Sequence, residues 1–213
     1  MQPSPTEQFF SEAEILTEKS QRDRQILTIR RLDWRFLLPD PRLENVAYIG
    51  APAADLIAAL EAFSSRLTNL ADVNSAAKRI AEPQFDVLVA SRAKQAEIEA
   101  AMPLLKPDGF LYWEVERSKL DGAAKFRSVF SYRKYLKKLK FDDIQIYWHR
   151  PNFVACKEII PLENPAALNF AFTKGHVGLK GRAKEFAGKW LKTSGFLSFS
   201  TPCFSFIGKK WIE

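Results

Sequence analysis

Short apolar runs alternate along this chain with segments in which apolar residues recur at helical spacing. Val46–Ile49 is such a run, residues 50–52 (Gly-Ala-Pro) follow it, and the Ala- and Leu-rich segment up to Phe63 has a helical pattern. This order predicts a buried strand, a turn and a helix. In many nucleotide-binding α/β proteins, such a unit presents backbone N–H groups and the helix dipole to a polar ligand.

The same alternation continues towards the end of the chain. Further strands are predicted at residues 66–73, 85–90, from residue 110 onward, 141–148 and 196–207. Further helices are predicted at residues 75–81, 91–101, 122–140, 164–173 and 180–192. Strands that alternate with helices indicate a three-layer, Rossmann-like doubly wound α/β sheet. We expect this sheet to be mostly parallel, with an antiparallel C-terminal edge strand.

Residues 1–44 lack this pattern and are predicted to form an N-terminal lead-in, or cap. Within them, residues 25–38 have apolar side chains that alternate as in a strand, including Leu32, Trp34 and Phe36. Residues 45–213 then form the main α/β domain, with a helical insertion at about 155–195. The lead-in is expected to cover an edge or a pocket of that domain.

The composition supports a sizeable core, because 46% of the residues are hydrophobic and 13% are aromatic. No apolar run reaches the roughly 18 residues that a membrane span needs, and the N-terminus lacks the layout of a signal peptide. Cys156 and Cys203 make neither a disulfide framework nor a zinc site. These features predict a cytoplasmic protein without a membrane span.

The net charge of +7 is distributed unevenly. Residues 117–140 contain nine Lys and Arg residues and one acid, and residues 174–192 contain six and one acid. The basic helices predicted there, at about 124–140 and 180–192, could attract nucleic acid, anionic lipid or an acidic substrate, or they could be solvated helix faces. No zinc-finger, RGG or aromatic-interleaved motif favours nucleic acid.

Five segments, in order, resemble the class I S-adenosylmethionine-dependent methyltransferases. VAYIGA is similar to their first strand and loop, and FDVLVAS to the strand that ends beside the cofactor. LLKPDGFLYWEVE is similar to their frequent Leu-Leu-Lys-Pro-Gly-Gly turn and the strand after it. KFDDIQIYWHRPNF is similar to a later strand with its Pro-aromatic loop, and TPCFSFIGKKW to the closing strand.

The resemblance implies transfer of a methyl group from S-adenosylmethionine to an acceptor held in line behind the electrophilic methyl carbon. Positioning and desolvation supply much of the rate gain in such a reaction. A general base is needed only when the nucleophile must lose a proton. The acceptor is expected to be a small molecule or a saccharide-like compound.

The resemblance also implies a cofactor site. Gly50 and Ala51 would approach the amino-acid part of the cofactor, Asp72 would bind the ribose hydroxyls, and Ser91 would line the cleft. On the residues alone, Gly50 could equally belong to a plain strand-to-helix turn, and Asp72 could be a loop or cap acid.

Other side chains are candidates for the acceptor side of the site. His149 follows a predicted strand and is the candidate base, unless it is a packing histidine. Trp34, Tyr112 and Trp148 are candidates for an aromatic substrate pocket, although they could also be core residues. No metal site is predicted, because no acid pair has the further His or Asp ligands that it would need.

The loop after the first strand departs from the glycine-rich pattern of the resembled family. It has one glycine, followed by Ala-Pro-Ala-Ala, so methyl groups crowd a ligand and Pro52 removes one N–H donor. The segment between this loop and FDVLVAS is also short, and one element is expected to be lost or shortened.

Three functions therefore stay open. The first is an active methyltransferase, with a small-molecule acceptor as its partner. The second is a methyltransferase-like domain that has lost the cofactor and serves as a binding or scaffold protein with a protein partner. The third is an RNA-associated methyltransferase or an RNA-binding module that uses the basic helices.

Overall fold

The computed structural model describes residue 23 and residues 25–80, 82–120, 127–173 and 201–211. In this part of the chain, seven strands form one sheet. The strands are β1 (Leu43–Gly50), β2 (Ser64–Asn69), β3 (Phe85–Ser91), β4 (Leu105–Glu116), β5 (Phe141–Arg150), β6 (Glu158–Pro161) and β7 (Cys203–Lys210). The helices are α1 (Ala54–Phe63), α2 (Val73–Arg79), α3 (Gln95–Ala101), α4 (Val129–Lys138) and α5 (Pro165–Thr173).

The strand order is β2-β1-β3-β4-β7-β5-β6. Strands β1 to β4 pair in parallel, whereas β7 runs antiparallel to both β4 and β5. The predicted α/β sheet, mostly parallel with an antiparallel edge strand, is confirmed. The edge strand is β6, which pairs antiparallel with β5. The C-terminal strand β7 is antiparallel as predicted, but it lies between β4 and β5 and not at the edge.

Helices cover both faces of the sheet, which gives the predicted three layers. On one face, α1 and the described residues of the lead-in bury apolar side chains from the sheet, among them Val46, Val89 and Tyr112. On the other face, α2, α3 and α4 cover a second cluster that includes Leu88 and Trp113. The five strands in the sheet interior, namely β1, β3, β4, β7 and β5, therefore contribute alternate residues to the two cores, as the pleat of a sheet requires.

The lead-in differs from its predicted strand. Residues 25–30 are helical, and Asp33–Leu37 form a 3-10 helix. Leu32 and Trp34 are buried, but Phe36 is 64% exposed, so the apparent alternation does not follow one face. A short alternating run is compatible with more than one conformation, and packing of Leu32 and Trp34 on the sheet decides between them.

The bounds of several other elements also differ from the predictions. Strand β2 ends at Asn69, so Asp72 lies beyond it, and between β1 and β3 the described chain has only α1, β2 and α2. Strand β6 was not predicted. The helix predicted at residues 122–140 is described from Val129, whereas residues 180–192 and 196–200 lie outside the described residues. No helix in the described ranges is long and apolar enough to span a membrane.

Gly50 fixes how two turns meet at the carboxyl ends of β1 and β3. Its φ is +97°, and a Cβ atom there would lie 2.3 Å from the carbonyl oxygen of Ser91. The N–H of Ala51 donates to that same carbonyl oxygen at 3.1 Å. A glycine is therefore required for the close approach of the two turns, whatever binds beside them.

We predict that Gly50→Ala lowers the free energy of unfolding by about 2 kcal/mol or more, because a positive φ and a backbone clash both oppose the added methyl group. Urea denaturation measures this difference. Gly208→Ala is the matched control, since a Cβ atom at that position would meet its nearest neighbour at 3.4 Å. Equal stability of the two variants would contradict this account of Gly50.

Candidate functional site

A buried polar cluster lies where β1, β3 and β4 end, beneath the lead-in. Its centre is Glu114 of β4, whose side chain is 2% exposed. Tyr112 donates to Oε1 of Glu114 at 2.9 Å, and the Ser91 hydroxyl donates to Oε2 at 3.1 Å. Because an ionised carboxylate is costly to bury without partners, the position of Glu114 depends on the groups around it.

Arg31 of the lead-in supplies the opposite charge. Its Nη1 and Nη2 atoms both donate to the Glu114 carboxylate, with Nη2 to Oε2 at 2.7 Å. Its Nε atom donates to Asp55, in the first turn of α1, at 2.5 Å. Burial is the largest single influence and lowers the pKa of Arg31, but the charge of Glu114, its hydrogen bond to Arg31 and the neighbouring Tyr112 and Asp55 together raise that pKa above its ordinary value. The guanidinium thus joins the lead-in, α1 and β4.

Aromatic packing fills the space beside this pair. The rings of Trp34 and Tyr112 stack in parallel with centroids 3.9 Å apart. Burial and then Glu114 raise the pKa of Tyr112 well above its ordinary value, so its hydroxyl stays a donor. The guanidinium of Arg31 also lies 5.5 Å from the ring centroid of Phe153. The structure brings Trp34 and Tyr112 together, but each closes off the surface that the other would offer to a substrate.

His149 lies on the same face of the sheet and is 2% exposed. Its Nε2 atom and the hydroxyl of Ser205 are hydrogen-bonded at 2.7 Å, and Cys156 Sγ lies 3.6 Å from Nδ1. Burial and then the charge of Arg31 lower the pKa of His149 to about 3. A group with so low a pKa is a weak base at neutral pH. The environment of His149 is therefore that of a packed, neutral histidine.

The β1–α1 turn is closed by groups of the protein itself. The hydroxyl of Tyr48 donates to the carbonyl oxygen of Ala51 at 2.6 Å and accepts the N–H of Ala53 at 3.2 Å. The N–H of Ala51 is bonded to Ser91, and Pro52 has no N–H. Across residues 51–53, every backbone donor is thus either absent or bonded within the chain.

Two predicted site residues lie elsewhere. Asp72 is the N-cap of α2, where its carboxylate accepts the backbone N–H of Ser75 at 3.1 Å and the Ser75 hydroxyl at 2.5 Å. These two hydrogen bonds lower the pKa of Asp72, as expected of a helix cap. Trp148 packs on Phe172 of α5, on the sheet face opposite Tyr112. It does not fit a pocket shared with Trp34 and Tyr112, because neighbouring residues of a strand point to opposite faces.

A cavity of about 330 Å³ opens next to the cluster, at the carboxyl ends of β3 and β4. Residues 92–95 and 113–116 form two of its walls, and Tyr132 of α4 contributes to a third. This volume is at the lower end of the range of ligand pockets. In the described ranges, no three His, Cys, Asp or Glu side chains are grouped as metal ligands.

The residues at the predicted cofactor positions do not fit S-adenosylmethionine in the arrangement that the structure shows. The backbone of residues 51–53 offers the amino-acid part of that cofactor no free donor, since the N–H groups of Ala51 and Ala53 are bonded within the chain and Pro52 has none. Asp72, the acid that the resemblance assigns to the ribose, lies beyond the end of β2, is exposed and is bonded to Ser75. The groups that would bind the cofactor are instead hydrogen-bonded to the Ser91 carbonyl, the Tyr48 hydroxyl and Ser75 of the chain itself.

Arg31 and Glu114 are the site residues that the sequence analysis missed. Glu114 interrupts an otherwise apolar segment of β4, and Arg31 directly precedes the buried Leu32. A charged residue inside an apolar run is a signal of a buried, paired charge, because unpaired ions are rarely buried. The signal does not identify the partner, which here lies 83 positions away in the sequence.

Comparisons with known proteins agree with the fold. No protein-family model and no curated protein matches the sequence. The structure matches 108 chains of solved structures. A SAM-dependent methyltransferase from Archaeoglobus fulgidus aligns over 94% of this chain and 100% of its own, with 11% identity and a TM-score of 0.51. A SAM-dependent methyltransferase from Thermotoga maritima aligns over 92% and 95%, with 11% identity and a TM-score of 0.44.

A third match is the phosphoethanolamine N-methyltransferase 2 of Haemonchus contortus, which aligns over 87% of this chain and 38% of its own, with 13% identity and a TM-score of 0.45. The chain has the class I SAM-dependent methyltransferase fold, as the resemblance predicted. At 11% identity, this likeness establishes the fold and not the reaction.

We predict that Arg31→Met and Glu114→Gln each lower the free energy of unfolding by about 3 kcal/mol or more, because each leaves a buried charge without its partner. The double variant should lose clearly less than the sum of the two. Urea denaturation of the four proteins gives the coupling energy. Arg42→Met is the control, since the Arg42–Asp40 pair is exposed and should change stability by less than about 1 kcal/mol. Additive losses would contradict a directly coupled pair.

The pKa of His149 predicts a pH dependence of stability. In the folded protein the pKa of His149 is depressed to about 3. As the pH falls below the ordinary histidine pKa near 6.5, His149 is therefore protonated in the unfolded chain but not yet in the folded protein. The stabilisation is complete above that pH and decreases towards acid by about 1.4 kcal/mol per pH unit. Urea denaturation between pH 7 and pH 4.5 should show a shallower slope for His149→Gln than for the wild type. Equal slopes would contradict a buried neutral histidine.

Proposed function

We propose that this chain is a non-catalytic binding protein built on the methyltransferase fold, in which the cofactor position is closed by backbone and side-chain groups of the protein itself. The observation that carries the proposal is the β1–α1 turn. The N–H groups of Ala51 and Ala53 are bonded to Ser91 and Tyr48, and Pro52 offers none. A ligand at this turn would have to displace internal hydrogen bonds, and it would gain only what those bonds already supply.

The Arg31–Glu114 pair supports the same proposal. It occupies the carboxyl end of β4, next to the turns after β1 and β3, and is anchored by the lead-in. Opening this region would separate two buried charges, which is strongly unfavourable unless a ligand replaces each partner. The arrangement is therefore suited to a rigid, closed face and not to a cleft that exchanges a large cofactor.

A second candidate function is S-adenosylmethionine-dependent methyl transfer to a small-molecule or saccharide-like acceptor. The fold is that of such enzymes, and the cavity of about 330 Å³ lies at the same edge of the sheet. This candidate requires that the cofactor bind without the donors of residues 51–53.

Isothermal titration calorimetry with S-adenosylmethionine and S-adenosylhomocysteine separates the two candidates. We expect no heat of binding and no thermal shift at about 1 mM ligand. A ligand with a Kd of about 1 µM would stabilise the protein by about 4 kcal/mol under these conditions, which is easily detected. The Archaeoglobus fulgidus methyltransferase serves as the positive control. Micromolar binding of either ligand would overturn the closed cofactor position and favour methyl transfer.

A further inference from the structure

The cavity at the ends of β3 and β4 has a strongly basic rim. Arg92 and Lys94 follow β3, Lys119 follows β4, and Arg127 precedes α4, and all four residues line the cavity. All four residues are exposed. In the described part of the chain, none of them forms an ion pair: Arg92 donates to the carbonyl oxygen of Pro52 and Arg127 to the side chain of Gln95.

The acids of the cavity do not balance this charge. Glu114 is already neutralised by Arg31, which holds both of its carboxylate oxygens. Glu116 accepts a hydrogen bond from the Ser118 hydroxyl at 2.9 Å and is the one other carboxylate among the described residues of the lining. Among the described residues of the lining, four basic residues therefore stand against one carboxylate that no described cation neutralises. Clustered like charges in a concave site attract a ligand of opposite charge.

The floor of the cavity is apolar and aromatic. Trp113 and Val115 of β4 lie below the rim, and the ring of Tyr132 meets that of Trp113 edge-on, with centroids 5.4 Å apart. The indole N–H of Trp113 is buried and has no hydrogen-bond partner in the described chain. An apolar floor beneath a charged rim is suited to a ligand that has an apolar body and one charged end.

We propose that this cavity binds a small organic anion. The charged end of the ligand, a carboxylate or a phosphate, meets Lys119 and Arg127, and its apolar body lies against Trp113 and Tyr132. This proposal rests on the proposed function, since it assigns a ligand to the proposed binding protein, in the cavity beside the closed cofactor position. The net positive rim disfavours cationic ligands for the same electrostatic reason.

The test measures binding of three probe compounds to the whole chain by isothermal titration calorimetry at low salt. Indole-3-acetate supplies a carboxylate on an apolar body, phenyl phosphate supplies a phosphate, and indole-3-acetamide is the neutral counterpart of the first. We expect indole-3-acetate or phenyl phosphate to bind, and the acetamide to bind about tenfold more weakly than indole-3-acetate if the carboxylate is the preferred end. Tighter binding of phenyl phosphate would identify phosphate as the preferred end.

Charge variants locate the site. Lys119→Gln/Arg127→Gln should weaken binding of the anion by about tenfold, which is the effect of losing two partly exposed ion pairs. Lys134→Gln/Lys138→Gln is the matched control, because it removes the same charge from exposed positions of α4 outside the cavity. The control should bind like the wild type. Urea denaturation checks that both double variants are folded.

Several outcomes would overturn the proposal: no binding of either anion up to about 5 mM, equal binding of indole-3-acetate and its amide with no binding of phenyl phosphate, or equal loss in the two double variants. These results are distinguishable from failure of the proposed function. If S-adenosylhomocysteine is silent and the anions do not bind, only the anion site is wrong. If S-adenosylhomocysteine binds, the closed cofactor position is wrong, whatever the anions do.

Discussion

The structure of the site depends on one buried ion pair, Arg31 with Glu114. Removing two charges from water is unfavourable unless each finds hydrogen-bonded partners, and both carboxylate oxygens of Glu114 are bonded to the guanidinium. The pair fixes the lead-in on the sheet and orients the hydroxyl groups of Tyr112 and Ser91. It also places Trp34 flat on Tyr112. The cluster holds together because none of its members can leave without exposing a buried charge or donor.

The same fold can keep its strand–turn–helix geometry while losing the donors that a ligand would use. Gly50 stays necessary because the turns after β1 and β3 approach too closely for a side chain. Tyr48 then supplies the hydroxyl that bonds to the turn from inside. The glycine thus has a purely structural reason to be present. A glycine in this turn is consequently weak evidence for a cofactor, and the bonding of the neighbouring N–H groups is stronger evidence.

The buried Arg31–Glu114 pair affects the net charge of the neighbouring cavity, where the anion site is proposed. Arg31 neutralises Glu114 from the lead-in side, so the carboxylate no longer offsets the Lys and Arg residues on the cavity side. The electrostatic field in the cavity is then governed by its rim. The buried pair and the basic cavity are therefore connected through one shared residue, Glu114, although they lie on different sides of the strand ends.

Local patterns in the sequence were sufficient for most strands and helices. The apolar run of β3 and the unit from β1 to α1 have strong periodicity and clear ends, and the structure has them where they were predicted. The strand-like conformation predicted for residues 25–38 was wrong, because a few alternating residues do not distinguish a strand from a short 3-10 turn. For Asp72, a ribose-binding acid at a strand end and a loop or cap acid were both left open, and its hydrogen bonds to Ser75 make it a helix cap. Trp148 was grouped with residues of the opposite sheet face.

By itself, the sequence determined the class of fold. Apolar residues at every second position indicate a strand, and apolar residues at every third or fourth position indicate a helix; both patterns involve only residues that are close along the chain. Pro52 and the single glycine also predicted that the loop after the first strand has few free N–H donors for a cofactor, since their effect is local. Only the tertiary structure decided that Arg31 pairs with Glu114, that Tyr48 closes the turn, and that four basic residues line one cavity. Those contacts join residues that are distant in sequence or depend on side-chain direction, and no local pattern contains that information.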